Sequence, residues 1–429
     1  MMLFASTRNP LHRVGFGAAL TQGLAGDGGL YVPTDWPKLT PNSDPDDLAA
    51  LALELLQPFV AGDALAVELA AITREAFSFP APLLMLGDSG RLDVLELFHG
   101  PTAAFKDFGA RFLAAALTRA RRGATRTLKI LVATSGDTGG AVAAAFHRHS
   151  GIEVAVLFPK GLVSPTQERQ LTCWGENVRS FAVRGRFDDC QRLVKEAFGD
   201  PALRERFELS SANSINLGRL LPQTVYYWAA SLKIWRTHGE PASFVIPSGN
   251  LGNATACVWA RRLGAPIDAI VLAHNANRTV PDYLEQGVLR PRPSVATLSS
   301  AMDVGNPSNL ERLVALFPDP AALRTALRAV SIDDEATRQR IRIDFERYGR
   351  VWCPHSAVAA EAYTRLAPNE RAHGRWVLVA TAHPAKFREI VEPLIGATLT
   401  MPQNLARLFD RPSSCTEIEA TLDALNSSL

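Results

Sequence analysis

Cysteine is scarce in this chain: five in 429 residues, at Cys173, Cys190, Cys257, Cys353 and Cys415. No two have the spacing of metal ligands, so no metal site is expected. An odd number scattered this way suits a reducing compartment, not a disulfide framework. An excess of one charge sign is lacking too. Forty-five Lys and Arg against 43 Asp and Glu leave a net charge of +2, which gives no reason to expect a nucleic-acid partner. The densest basic cluster, Arg119-Ala120-Arg121-Arg122, falls at the end of a predicted helix. It reads there as dipole-complementing charge on a solvated face. No apolar stretch reaches the length of a membrane span, and the apolar start at residues 1–5 is short. Repeats, low-complexity segments and a Gly-Lys-Ser/Thr phosphate loop are all missing. The expectation is a cytoplasmic protein with neither membrane nor nucleic-acid partners.

What is present is alternation. The length allows two or three domains, and 47% hydrophobic residues suffice for their cores. Leu128–Ala133 predicts a buried strand, Ala141–His147 a helix and Val154–Phe158 the next strand, one βαβ unit of a parallel sheet. Ser164-Pro165 predicts a helix start, with Ser164 as N-cap. Further strands are expected at Val178–Val183, Phe244–Pro247, Ala269–Ala273 and Trp376–Ala380, and Glu208–Asn216 reads as a strand end running into polar residues. A long helix is expected from Gly218 to Trp235, and helices dominate from Leu310 to Tyr348. Strands and helices alternating this often predict an α/β fold with mainly parallel sheets, whose ligands bind beyond the strands' carboxyl ends. Residues 1–85 form a separate block, ended by Pro80-Ala81-Pro82. They contain the glycine-dense stretch Gly23-Leu24-Ala25-Gly26-Asp27-Gly28-Gly29-Leu30-Tyr31, read from its residues as turn.

One lysine is conspicuous. In His99-Gly100-Pro101-Thr102-Ala103-Ala104-Phe105-Lys106-Asp107-Phe108-Gly109, Lys106 lies between two phenylalanines. Phe108, Phe112, Leu113 and Leu117 follow at helical spacing, which puts Lys106 at a helix start. Apolar walls and the positive end of a helix both disfavour its charged form. A lysine that loses its proton easily is a nucleophile for aldehydes; the bland alternative is a lysine snorkelling from a helix end. Four polar loops follow predicted strands and could converge on one sheet edge. Gly249-Asn250-Leu251-Gly252-Asn253 offers backbone N–H groups at a helix start, as an anion cradle or a mere tight turn. Thr134-Ser135-Gly136-Asp137-Thr138 offers hydroxyls and N–H groups that suit a carboxylate ligand, or simple capping. In Thr381-Ala382-His383-Pro384 the histidine reads as a packed or turn residue. Asn213, Asn216 and Arg219, at a strand-to-helix junction, suit a phosphate or serve as caps and a surface charge.

The lysine stretch resembles the lysine motif of the threonine synthases, pyridoxal-phosphate enzymes of the tryptophan-synthase-like fold (fold type II). The resemblance extends across about residues 20 to 390. It includes the glycine-dense stretch, Gly-Asn-Leu-Gly-Asn at 249–253, Met-Asp-Val-Gly-Asn-Pro at 302–307 and Thr-Ala-His-Pro at 381–384. It implies an N-terminal helical and loop domain at 1–85 and a catalytic region at 86–429. That region divides into a large lobe (about 86–127 and 223–429) and a smaller lobe (about 128–222). It implies pyridoxal 5'-phosphate on Lys106, its phosphate at Gly249, Asn250, Leu251, Gly252 and Asn253, and its ring near Asp137 and Thr381. The substrate would be O-phospho-L-homoserine, held by Thr134, Ser135, Thr138, Asn213, Asn216 and Arg219, with Ser308 and Asn309 as weaker candidates. The implied reaction adds water and releases L-threonine and phosphate, in a monomer or homodimer. The alternatives are a related phospho-lyase or amino-acid dehydratase of the same fold, or a binding protein without turnover. Ala301 stands where a hydroxyl residue is expected in close relatives.

Overall fold

Two parallel-rich sheets carry the catalytic region in the computed structural model, which describes all 429 residues. The larger has six strands, in the order Arg328–Ser331, Ile267–His274, Ala242–Pro247, Arg375–Ala380, Leu92–Glu96 and Leu83–Met85. Only the last pair is antiparallel. The smaller sheet has five parallel strands, in the order Thr416–Glu419, Val178–Arg184, Ile152–Pro159, Leu128–Ala133 and Glu208–Ser211. Every residue of Leu128–Ala133 is buried, as expected of a strand covered on both faces. A third, antiparallel sheet in the N-terminal block joins Arg13–Val14, Phe4–Ser6 and Tyr31–Pro33.

The helix that begins at Lys106 runs to Ala120 and is the centre of the main core. Phe108, Phe112, Leu113 and Leu117 are all fully buried, at about 1.5–3 kcal/mol of burial free energy each. The N-terminal block supplies much of their cover. Phe16 meets Phe112 edge-on at 6.4 Å, and Phe77 and Phe79 pack on Phe108 at 5.7 and 4.4 Å. Tyr226 closes the other side of Phe108 at 5.4 Å. This block therefore braces the lysine helix.

Four features differ from the sequence reading. The expected helix from Gly218 to Trp235 is broken into Leu217–Leu220, a 3-10 turn at Leu221–Gln223 and Thr224–His238, because Pro222 cannot continue the first segment. The segment Arg328–Ser331 is a strand. Thr416–Glu419 pairs with Val178–Arg184, so the end of the chain lies on the smaller sheet, not with the large lobe. The Arg119–Arg122 cluster is a solvated face only at Arg122; Arg119 and Arg121 are largely enclosed. Arg119 pairs with Glu68 and Glu75, Arg122 with Glu68, and Arg121 with Glu208. These pairs tie the helix end to the N-terminal block and to the smaller sheet.

Candidate active site

The loops after Leu128–Ala133 and Glu208–Ser211 belong to the smaller sheet, and those after Ala242–Pro247 and Arg375–Ala380 to the larger. They converge on a cleft between the two sheets, not on one edge of one sheet. Lys106, Thr134, Ser135, Asp137, Thr138, Asn213, Arg219, Gly249, Asn250, Leu251, Gly252, Asn253 and Thr381 line it. Asn216, Ser308 and Asn309 do not.

Lys106 is positioned by the neighbouring strand end. The N–H of Phe105 donates to the Thr381 carbonyl at 2.8 Å, and that of His383 donates to the Ala103 carbonyl at 3.1 Å. Ala104 bridges Ala382 in antiparallel fashion. The lysine and Thr381 are thus fixed relative to each other through backbone. The Lys106 amine has neither a hydrogen bond nor an ion pair, and its nearest aromatic contact is the Phe105 ring at 5.6 Å. Burial lowers its pKa to about 8, against a pull upward from Asp137 and with help from Lys386 and Arg219. Asp137 opens the helix Asp137–Phe146 and is buried. Burial works to protonate its carboxyl, but Lys386 and then Lys106 outweigh burial and hold it well below the usual carboxylate range.

The loop from Gly249 to Asn253 has the shape of an anion cradle. Leu251 adopts a left-handed conformation (φ 61°, ψ 4°) just before the helix Gly252–Leu263. Alternation of this kind turns successive N–H groups to one side, toward the positive end of a helix. Gly249 is required by close approach: a Cβ there would lie 2.7 Å from Met302 Cα. Asn253 is anchored by Tyr226 and Tyr227, whose hydroxyls donate to its Oδ1 at 2.6 and 2.8 Å. Its Nδ2 is buried without a partner. Asn250 and Asn309 hold the loop: Asn250 Nδ2 donates to Ser214 Oγ at 2.8 Å, and Asn309 Nδ2 to the Asn250 carbonyl at 2.9 Å. The Ser308 N–H donates to Asn250 Oδ1 at 2.6 Å. Ser308 and Asn309 therefore act on the cradle from behind.

The other candidates divide by whether their polar atoms are free. Thr134 Oγ1 accepts from the N–H groups of Gly136 and Gly139 at 3.0 and 2.9 Å, so it shapes its own loop. Asn216 is consumed: Nδ2 donates to Leu20 and Ser211 carbonyls, and Oδ1 caps the Gly218 N–H. Arg219 is 2% exposed, has no ion-pair partner, donates through Nη1 to the Ala212 carbonyl and leaves its Nε unpaired. Burial lowers its pKa to about 10, opposed by Asp107. Asn213 donates to the Ala133 carbonyl at 3.1 Å and leaves Oδ1 buried and unpaired. His383 is a turn residue, its Nδ1 accepting from the Ala385 N–H at 3.1 Å.

The motif at 302–307 has a structural explanation. Asp303 gathers donors from the Thr297 N–H, the Thr297 hydroxyl, Asn275 Nδ2 and Asn277 Nδ2, at 2.7–3.2 Å. At Gly305 a Cβ would collide with the Arg292 carbonyl at 1.8 Å. The segment is a knot that presses Met302 against Gly249. Ala301 contributes its N–H, which donates to His355 Nε2 at 3.1 Å.

Two buried groups in the site were missed by the motif reading. Lys386 is fully buried, and its Nζ lies 2.8 Å from Asp137 Oδ1 and 2.9 Å from the Thr102 carbonyl. Its signal in the sequence is the one Lys106 carries, a lysine among apolar residues (Ala385 and Phe387) just after a strand. His355 lines the cleft, and burial lowers its pKa to about 4, opposed by Asp137.

These residues fit pyridoxal phosphate: an unpaired amine, a backbone cradle for its phosphate with an unpartnered amide beside it, and a Thr381 hydroxyl that bonds nothing in the protein. Comparison with known proteins agrees. The family model for pyridoxal-phosphate dependent enzymes matches residues 92–382. Those for the threonine synthase N terminus and C-terminal region match 3–77 and 356–428. The threonine synthase of Haemophilus influenzae is 40% identical over 417 residues, 96% of each chain. The crystal structure of the Escherichia coli threonine synthase superposes with a TM-score of 0.89 at 38% identity, covering 100% of this chain and 99% of that one. A pyridoxal-phosphate-bound threonine synthase from Brucella melitensis gives a TM-score of 0.89 at 34% identity, covering 100% and 98%. Matches of this extent at both termini and across the cleft leave one placement: the chain belongs to the threonine synthase family.

Proposed function

We propose that the chain converts O-phospho-L-homoserine and water to L-threonine and phosphate, as a pyridoxal-phosphate-dependent carbon–oxygen lyase of the cytoplasm. The observation that carries this reading is an unpaired lysine amine, a backbone anion cradle and a buried arginine without an ion-pair partner in one cleft. The cofactor supplies an aldehyde for the substrate amine and a conjugated ring that takes up the electron pair released at carbon. Everything else falls to the chain.

Lys106 carries the cofactor and, once released, moves protons at the substrate's Cα and Cβ. A pKa of about 8 leaves part of the amine neutral near pH 7, as a base requires. The N–H groups of Gly249–Asn253 hold the cofactor phosphate. Thr381 meets the ring nitrogen with a hydroxyl, which does not force that nitrogen to be protonated. Asp137, an ionised acceptor, would lie near the ring's phenolic oxygen and would accept from it where that oxygen keeps its proton. Ser135, Thr138 and the start of the helix Asp137–Phe146 receive the substrate carboxylate.

Arg219 receives the leaving phosphate. Buried cations are normally paired; Arg219 feels Asp107 but forms no ion pair with it, and the anion that would pair with it directly is the substrate's. Asn213 presents an acceptor and does not suit a phosphate. Residues 1–85 act as a domain that braces the lysine helix. The test is a coupled assay of phosphate and L-threonine formed from O-phospho-L-homoserine, on wild type and Lys106→Ala. Equal amounts of both products, lost in the variant, support the reading; deamination of threonine or serine without phosphate release refutes it.

A further inference from the structure

Asp137 is shared by two lysines of opposite character. Lys386 reaches it from the turn Pro384–Phe387, completely enclosed, at 2.8 Å. Lys106 senses it across the cleft without a bond. The Lys386 ammonium is held at two points, Asp137 Oδ1 and the Thr102 carbonyl. Gln167 Nε2 donates to the same Asp137 oxygen at 3.0 Å, and Gln170 Nε2 to the same Thr102 carbonyl at 3.0 Å. Gln167 is itself pinned by the capping box with Ser164, whose hydroxyl donates to the Lys386 carbonyl at 3.0 Å. The pair is therefore built into a closed network that joins the helix Pro165–Thr172, the lysine segment and the strand end near Thr381.

We propose that Lys386 is a positioning residue: its enclosed ammonium fixes Asp137 and offsets part of its charge, so that the carboxylate does not by itself hold Lys106 protonated. This rests on Lys106 being the cofactor lysine. The geometry makes the argument. Beside a half-buried amine a lone, enclosed carboxylate would favour the charged form of Lys106. With Lys386 bonded to it, the carboxylate and the second ammonium act on Lys106 in opposite directions, and burial decides. The other charged or titratable groups facing Lys106 or Asp137 are Arg219, which also disfavours the Lys106 cation, His355, held neutral by burial, and the Cys353 thiol, whose pKa burial pushes up. Asp107, next to Lys106 on the same helix, turns away to accept from the Thr102 N–H and hydroxyl.

The test follows the protonation of Lys106 directly. The full chain, stripped of cofactor, is labelled with pyridoxal phosphate and cyanoborohydride from pH 6 to 10, and the rate at the Lys106 peptide is read by mass spectrometry. The reagent's own titration is common to every variant, so differences belong to the protein. Wild type should show a midpoint near pH 8. Lys386→Met should raise it by about one unit or more, and Lys386→Arg should restore it. Asp137→Asn should lower it. The double variant Lys386→Met/Asp137→Asn, which leaves no orphan charge, should return close to wild type, and it keeps the test open if Lys386→Met fails to fold. Equal midpoints in all variants, or the same shift in the Arg as in the Met variant, overturn the proposal. Label on Lys386 in place of Lys106 overturns the assignment of the cofactor lysine as well.

Discussion

Gly249→Ala should cost the protein its cofactor before it costs the fold. The added Cβ would sit 2.7 Å from Met302 Cα and 3.2 Å from the Ala301 carbonyl, both backbone. Neither is the free end of a side chain, and the 299–309 segment behind them is tied by the four donors of Asp303 and by Gly305 against Arg292. The strain cannot relax outward, so the cradle loop must move. Overpacking of this kind costs about 1–3 kcal/mol. If the loop's position is what binds phosphate, that cost falls on affinity, about five- to 150-fold in Kd. Gly252 is the internal control. Its Cβ would meet only Ser214 Cβ, at 3.2 Å, and the Asn309 side chain, at 3.6 Å, both able to shift by tenths of an ångström. Gly252→Ala should therefore leave the melting temperature of the cofactor-free chain within a degree or two. The assay is equilibrium dialysis of pyridoxal phosphate against both variants, with thermal melts of the cofactor-free chains alongside. If Gly249→Ala binds the cofactor as wild type does, the cradle is misassigned. If its melting temperature falls while affinity holds, the glycine serves packing alone.

Three further outcomes follow from buried polar groups. Asp303→Asn should destabilise by about 2 kcal/mol, because one amide nitrogen must face donors that now meet a carboxylate oxygen; urea unfolding measures it, and an unchanged midpoint would refute the knot. His274 and His355 are held neutral by burial, at about 3 and about 4 against an ordinary 6.5. The unfolded chain takes up these protons first as pH falls below 6.5, so stability should drop between about pH 6.5 and 4. The loss should be on the order of 3 kcal/mol per histidine, and His355→Gln should remove part of it in pH-dependent melts. Arg219→Met should lower phosphate release from O-phospho-L-homoserine about ten- to hundredfold while leaving the spectral response to L-threonine intact; equal loss of both would place the arginine in the fold.

The elements that position the site were legible because they are buried. Leu128–Ala133 and Ala242–Pro247 read as apolar runs since helices cover both faces of their sheets. Arg328–Ser331 and Thr416–Glu419 gave no such signal: both lie at sheet edges, half exposed, with polar residues facing water. Local composition also placed Lys106 at its helix start and Ser164 at its cap. Pairings across the chain are another matter. Nothing near Asn216 in sequence says that Leu20 will take its amide, and nothing near Asp137 says that Lys386 will neutralise it, 249 residues on. The ion pairs of Arg119, Arg121 and Arg122 are illegible in the sequence for the same reason, since their partners Glu68, Glu75 and Glu208 arrive only with the fold.

The central claim is that Lys106, and not its enclosed neighbour Lys386, carries the cofactor. Borohydride reduction of the holoenzyme followed by peptide mapping tests it in one step. A single pyridoxyl group is expected, on Lys106, and none after Lys106→Ala. A label on Lys386 or Lys160, or one that survives Lys106→Ala, would contradict it.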